Sequence, residues 1–397
     1  MKRFLALLLA LVMVLSFAAC SKNEPTGSTP TEPTRDLSKL DKLYWRESYT
    51  ASDADAAAAR NSTVASVGGA ELTNGMLQIY YWMEVYSFLN DYGNYLGLYG
   101  LNPTKPLDSQ ACVNTDGTWQ HNFLKGALDN WYCYQSLALA AEKTNTPMDP
   151  ELQKELDGLY DSLKKRAEDG KFDSIDALIQ SESGPGCTAE DYYNYTAMCY
   201  RGFSYFNKMV DEINVTDTMI EDYFKRTEAD LKKEGISKES GNVCSVRHIL
   251  IEVAEGKSDA DWETCRDKAQ KLLDEWLTGE HTENTFADFA KKHSTDGGSS
   301  SNGGLYEGLN SKTNFVPEFK EWYLAEGRKA GDYGLVKTSY GYHIMYFSST
   351  EPEWIYRCRE AVTSELSSRI ISNALKEYQL NVNYDKILLG EVSLSNS

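Results

Sequence analysis

Residues 243–253 read VCSVRHILIEV, and residues 337–347 read KTSYGYHIMYF. Both stretches alternate apolar and polar residues as a half-buried strand does. Each carries a histidine, His248 and His343, in a chain of 397 residues with five histidines in all. One histidine inside a strand is usually a satisfied core residue. Two, at the ends of a single segment, ask whether they serve a common site.

The sequence between them is orderly. A polar helix is expected over 259–278 and a shorter one over ENTFADFAKKHS (283–294), leading into the Gly/Ser loop TDGGSSSNGG. A third short helix surrounds FVPEFKEWYL (315–324), and two closing strands flank the Tyr340–Gly341 turn. The order strand, helix, helix, helix, strand, strand describes a compact α+β unit.

Outside this unit the periodicity is helical. VASV (64–67) and a Gly68–Gly69 turn precede ELTNGMLQIYYWMEVYSFLN, where Thr73 or Asn74 caps a long helix. Further helices are expected over 119–143, 150–168 and 189–212, and one capped by Thr216 or Thr218 ends at Gly235. After Pro352 a long helix returns, followed by a terminal strand in LNVNYDKILLGEV. A lone terminal strand needs an edge to pair with, and VASV offers one. The expected fold is therefore α+β, with a discontinuous, mainly helical domain (41–240 and 351–397) into which the unit at 241–350 is inserted.

The first twenty residues, MKRFLALLLALVMVLSFAAC, place Lys2 and Arg3 before an apolar run from Phe4 to Phe17. This is an export signal too short to span a bilayer comfortably. SFAAC resembles the lipobox of bacterial lipoproteins, which implies lipidation of Cys20 after loss of residues 1–19; an ordinary secretory signal cleaved nearby is the alternative. Residues 20–40 follow with a Pro/Thr/Ser composition, that of a flexible tether.

Removing Lys2 and Arg3 takes away two positive charges and moves the formal charge from −19 to −21. An acidic surface of this size excludes nucleic acid as a natural partner. Seven cysteines remain beyond Cys20, with no close CxxC pair to suggest zinc or thioredoxin chemistry. They read more simply as buried thiols than as a disulfide framework, although up to three bridges stay open. No GxSxG elbow marks a serine hydrolase.

Five blocks in order, RHILI, FADFAKKHSTD, GGSSSNGGL, FVPEF and GDYGLVKTSYGYHIMYF, resemble the parvulin family of peptidyl-prolyl cis/trans isomerases from Val246 to Phe347. The whole arrangement, with VASVGGAELTNGMLQIYY as its opening, resembles the PrsA-type and SurA-type extracytoplasmic foldases. The resemblance implies that His248 and His343 share a hydrogen bond on neighbouring central strands, with Thr338 alongside. Asp296 falls where parvulins carry Cys or Asp, and Phe315 and Phe319 match the positions that form the proline pocket. The common GGDLG is replaced by GGLYEG, so Leu305, Tyr306 and Glu307 alter the pocket rim, with Tyr306 among the substrate-binding residues. Phe315 in place of Met narrows one wall.

The implied reaction requires rotation about an X–Pro bond, opposed by about 18–20 kcal/mol of lost amide resonance, and it asks for no cofactor or metal. The implied partners are unfolded or partly folded exported polypeptides with X–Pro bonds and, through the N-terminal lipid, the outer face of the bacterial cell membrane; a homodimer is an assembly such a chain could form. The second reading is a non-catalytic holdase that keeps the parvulin-like unit for client binding. For that role the aromatic residues Tyr80, Tyr81, Trp82, Tyr86, Phe88, Trp119, Phe123, Trp131, Tyr132 and Tyr134 divide between core and adaptable surface. His281 and His293 are expected on the surface.

Overall fold

The computed structural model describes residues 49–112, 117–254 and 257–392. The leader, the tether and Cys20 lie outside the described residues. The chain divides into two compact units, Met1–Ile213 with Leu366–Ser397, and Asn214–Glu365.

In the first unit a short helix α1 (Asp53–Ala59) precedes the hairpin of β1 (Thr63–Val67) and β2 (Ala70–Thr73). The hairpin turns on Gly68 and Gly69, both at positive φ, as a two-residue hairpin turn demands. Thr73 then caps α2 (Asn74–Tyr92) by accepting the Met76 N–H. Helices α3 (Trp119–Lys143), α4 (Pro150–Asp157), α5 (Leu159–Asp169), α6 (Ile175–Ser183) and α7 (Ala189–Asp211) follow. The single helix expected over 150–168 is broken at Gly158, and α6 is an element the periodicity did not disclose.

The unit's core is aromatic. Tyr80, Tyr81, Trp82, Trp119, Phe123, Trp131 and Tyr134 are buried, and Tyr86, Phe88 and Tyr132 are partly buried against them. None of the ten stands out as exposed surface, because α2 and α3 turn these rings toward each other: Phe88 lies 4.9 Å from Trp119 and 5.7 Å from Phe123, centroid to centroid.

One face of α2 holds the returning end of the chain. Asn74 Nδ2 donates to the Lys386 carbonyl at 2.6 Å, and its Oδ1 accepts the Leu388 N–H at 3.1 Å. One turn on, Gln78 Oε1 accepts the Gly390 N–H at 3.0 Å, and a further turn on Trp82 Nε1 donates to the Gly390 carbonyl at 3.2 Å. Spacings of four residues align these side chains on one stripe. The terminal strand is only three residues, Leu380–Val382 (β7 below), and pairs antiparallel with β1 through Ala65, Ser66 and Val67.

In the second unit α8 (Asp217–Lys233), capped by Thr216, packs Ile220, Phe224 and Leu231 on Trp354 and Cys358. This cluster is why residues 214–240 belong with the second unit rather than the first. A four-stranded antiparallel sheet follows, built from β3 (Asn242–Glu252), β4 (Leu305–Leu309), β5 (Tyr333–Thr338) and β6 (Gly341–Pro352) in the order β4-β3-β6-β5. Its helices are α9 (Asp259–Leu277), α10 (Glu283–His293) and α11 (Pro317–Leu324). Finally α12 (Glu353–Glu377) leads to β7.

The two sheet faces bury different residues. Ile249, Ile251, Ile344 and Tyr346 pack with Ala269, Leu272 and Trp276 of α9 and Phe286 and Ala290 of α10. Val246, Met345 and Phe347 pack with Phe319 and Tyr323 of α11. All seven cysteines among the described residues are buried thiols outside any disulfide.

Candidate active site

In the β3–β6 ladder His248 is opposite Met345 and His343 is opposite Leu250. The two histidines are therefore diagonal neighbours on the α11 side of the sheet. Their rings lie nearly parallel, with centroids 5.2 Å apart, and His248 Nδ1 is 3.0 Å from His343 Nδ1. Both residues are buried. His343 Nε2 is 2.8 Å from the hydroxyl of Thr338 at the end of β5, and that hydroxyl also accepts the Tyr340 N–H.

Asp296 arrives on the loop after α10. Backbone and side-chain bonds zip that loop onto β3: Ser294 Oγ accepts the Leu250 N–H, and the Thr295 N–H and hydroxyl both donate to the Leu250 carbonyl. Asp296 Oδ2 thereby lies 3.0 Å from His248 Nε2. Ser299 Oγ donates to the same oxygen at 2.5 Å and lies 3.0 Å from His248 Nε2. The Tyr306 hydroxyl, from β4, donates to it as well at 3.0 Å. Gly304 brings β4 this close: at φ +75° its carbonyl accepts the His248 N–H, and a Cβ there would lie 2.1 Å from the His248 carbonyl oxygen.

The proton directions follow from this geometry. The hydrogen bond from His248, with smaller help from Ser299 and Tyr306, holds the Asp296 carboxyl well below the usual carboxylate range, against the opposing effect of burial. An ionised carboxylate only accepts, so His248 Nε2 carries a proton. Burial, and then the neighbouring His248, push His343 from 6.5 down to about 3. His343 is therefore neutral at pH 7, with one N–H. When His248 is neutral too, its Nδ1 must accept, so His343 Nδ1 donates and His343 Nε2 accepts the Thr338 hydroxyl. All four ring nitrogens have a protein partner, so this pair offers no lone pair to a metal.

Above the histidines sits an aromatic group. Phe319 of α11 stands edge-on to both rings, 5.2 Å from His248 and 5.4 Å from His343. Phe315 stacks on Phe319 at 4.8 Å, and Tyr306 meets Phe315 edge-on at 4.9 Å. The sequence positions His248, Asp296, His343, Thr338, Phe315, Phe319 and Tyr306 thus converge, while Cys20 lies outside the described residues. Two details were not legible. Phe319 is only 1% exposed, because Phe315 lies over it. Ser299, fully buried, joins His248 to Asp296, but nothing in the run of three serines 299–301 distinguishes it. Of the other histidines His281 is exposed, and His293 is half-buried against Phe289 rather than on the open surface.

The four-stranded sheet thus carries a buried histidine pair, joined to the Asp296 carboxylate and packed beneath Phe315 and Phe319. Residues 229–350 match the family model of the PPIC-type PPIASE domain. The chain is 25% identical over 239 residues to foldase protein PrsA 1 of Listeria innocua, covering 59% of this chain and 68% of that protein. It is 35% identical over 115 residues to the chaperone SurA of Pseudomonas fluorescens, covering 29% of this chain and 25% of that one. Among solved structures, PrsA from Bacillus subtilis aligns with 67% of this chain and 87% of its own, at 22% identity and a TM-score of 0.32. The chain carries a PPIC-type parvulin domain and is homologous to the PrsA and SurA foldases.

Proposed function

We propose that the chain is an active peptidyl-prolyl cis/trans isomerase and foldase, acting on X–Pro bonds of unfolded or partly folded exported polypeptides. In this reading it works outside the cell membrane, tethered by a lipid on Cys20, and needs no cofactor. The observation that carries it is the unbroken hydrogen-bonded line Asp296–His248–His343–Thr338 beneath Phe315 and Phe319.

The chemistry suits that line. A planar amide draws negative charge onto its carbonyl oxygen by resonance, and the twisted amide gives that charge back to nitrogen. A fixed carboxylate beside the carbonyl therefore disfavours the planar forms more than the twisted one. Differential interaction of this kind is what lowers a barrier. The proline ring is gripped by the aromatic side, and no covalent bond forms or breaks.

The test is a protease-coupled proline-peptide assay on the mature protein, run beside Asp296→Ala. Activity in the wild type that drops in the variant is the expected result. An inactive wild type, or an Asp296→Ala variant that matches it, overturns catalysis. The closed stacking of Phe315 over Phe319 favours the second reading, a holdase whose parvulin unit binds clients without turning them over. Under that reading suppression of client aggregation persists while every peptide stays uncatalysed. Mass spectrometry of the mature N-terminus and sedimentation of the purified chain test the lipid on Cys20 and a homodimer.

A further inference from the structure

Three donors crowd one oxygen of Asp296: His248 Nε2 at 3.0 Å, Ser299 Oγ at 2.5 Å and the Tyr306 hydroxyl at 3.0 Å, all on Oδ2. A carboxylate oxygen offers two lone pairs. Ser299 Oγ is also 3.0 Å from His248 Nε2, so it can accept the imidazole N–H while donating its own O–H to Asp296. Imidazole and serine then share one lone pair, and the second is left for the tyrosine.

The ring of Tyr306 meanwhile belongs to the apolar side. It stands edge-on to Phe315 at 4.9 Å and tilted over His248 at 5.5 Å. Burial, followed by the nearby Asp296, raises the phenol above its ordinary value, so it remains a donor across the neutral range. Tyr306 is one of the residues by which GGLYEG departs from GGDLG. A leucine there would supply a wall alone, whereas tyrosine supplies a wall and a hydrogen bond.

We propose that Tyr306 is a positioning residue for the isomerisation: its phenol fixes the Asp296 carboxylate against His248, while its ring walls the proline site beside Phe315. The inference rests on the isomerase reading and goes beyond it by assigning a task to a residue whose only expected role was contact with substrate. One side chain then ties the apolar grip to the charged partner. A substrate that seats against Phe315 finds the carboxylate already oriented.

The test compares wild type, Tyr306→Phe and Tyr306→Leu by two readouts. In the peptide assay Tyr306→Phe keeps KM and lowers kcat roughly tenfold, the scale of one hydrogen bond to a charged group. Its kcat–pH profile also moves its acid limb to higher pH, since Asp296 has lost a donor. Tyr306→Leu raises KM in addition. Independently of turnover, the ¹³C carboxyl resonance of Asp296, assigned by its loss in Asp296→Asn, titrates at higher pH in Tyr306→Phe than in wild type. An active wild type with unchanged kcat in Tyr306→Phe overturns the inference alone, as does an unmoved Asp296 titration. An inactive wild type overturns the isomerase reading and this role within it.

Discussion

His248 and His343 meet Nδ1 to Nδ1 across 3.0 Å, so one of the two facing nitrogens carries a proton and the other does not. Thr338 sits at the far end of this choice, 2.8 Å from His343 Nε2. Replacing Thr338 with Val keeps the shape and removes the hydroxyl, leaving a buried imidazole nitrogen without its partner. A loss of about 1–3 kcal/mol is expected, read from chemical denaturation of the purified protein. Thr338→Ser should recover most of it. A valine variant as stable as wild type would show that the hydroxyl contributes nothing to the pair.

Acid should weaken this unit. His343 is held at about 3 against an ordinary 6.5. Between those limits the unfolded chain binds a proton that the folded chain refuses, so stability is full above about 6.5 and falls as pH drops toward 3. The slope is at most ~1.4 kcal/mol per pH unit. Asp296, whose carboxyl lies below its ordinary 3.8, acts in the same direction below that value. The difference in melting temperature between wild type and His343→Asn should therefore shrink steadily from pH 7 to pH 4. A constant difference would assign the depressed pKa to nothing in the folded state.

Gly304 permits no side chain. Its φ of +75° and the 2.1 Å approach of a Cβ to the His248 carbonyl oxygen leave alanine nowhere to go. Gly304→Ala should destabilise the parvulin unit by more than ~4 kcal/mol, or force β4 off β3. Loss of protection of the His248 amide in hydrogen exchange would distinguish peeling of β4 from global unfolding. Full retention of both stability and protection would contradict the close approach.

Asn74 is the side chain to remove if the returning terminus matters to the first unit. Asn74→Ala strands the Lys386 carbonyl and the Leu388 N–H together. The expected loss is about 2–4 kcal/mol, with exchange at Leu388 and Gly390 rising first. Truncation after Glu377 should do the same more severely, because it also strips β7 from β1. An unaltered melting curve in the truncated chain would make the terminal segment a passenger.

Phe315 stacks 4.8 Å from Phe319, over the position proposed to take proline. Phe315→Met replaces a flat lid with a flexible side chain of similar bulk, and should lower KM for proline peptides if the ring must move aside on binding. Phe319→Ala is a poorer probe, since truncating a buried phenylalanine removes roughly 3–5 kcal/mol of packing. An unchanged KM in Phe315→Met would place proline elsewhere.

The sequence disclosed what depends on period and spacing. The pattern of residues located β3 and β6, although burial does not alternate along them, because α9 and α10 cover one face of the sheet and α11 the other; the caps at Thr73 and Thr216 are local chemistry that survives in the fold. What escaped depends on contacts between distant residues. The edge strand Leu305–Leu309 is short, contains Gly308 and has weak alternation; it exists because Gly304 lets it approach β3. Ser299 looks like its neighbours until Asp296 and His248 are brought around it. The assignment of α8 to the second unit turns on Trp354 and Cys358, more than a hundred residues away in the chain, which no local pattern reports.

The buried thiols carry a consequence for a protein whose relatives are foldases. A thiol attacks a disulfide only as thiolate, and burial pushes Cys187 and Cys199 up to about 12 and Cys244 up to about 11. In the folded chain these sulfurs are out of reach and protonated. Under the proposed foldase reading, a client with half-formed disulfides meets no reactive thiolate at these three positions. That inertness is a property of how the chain is packed, and it lasts only as long as the packing does: unfolding would hand the same sulfurs back their reactivity.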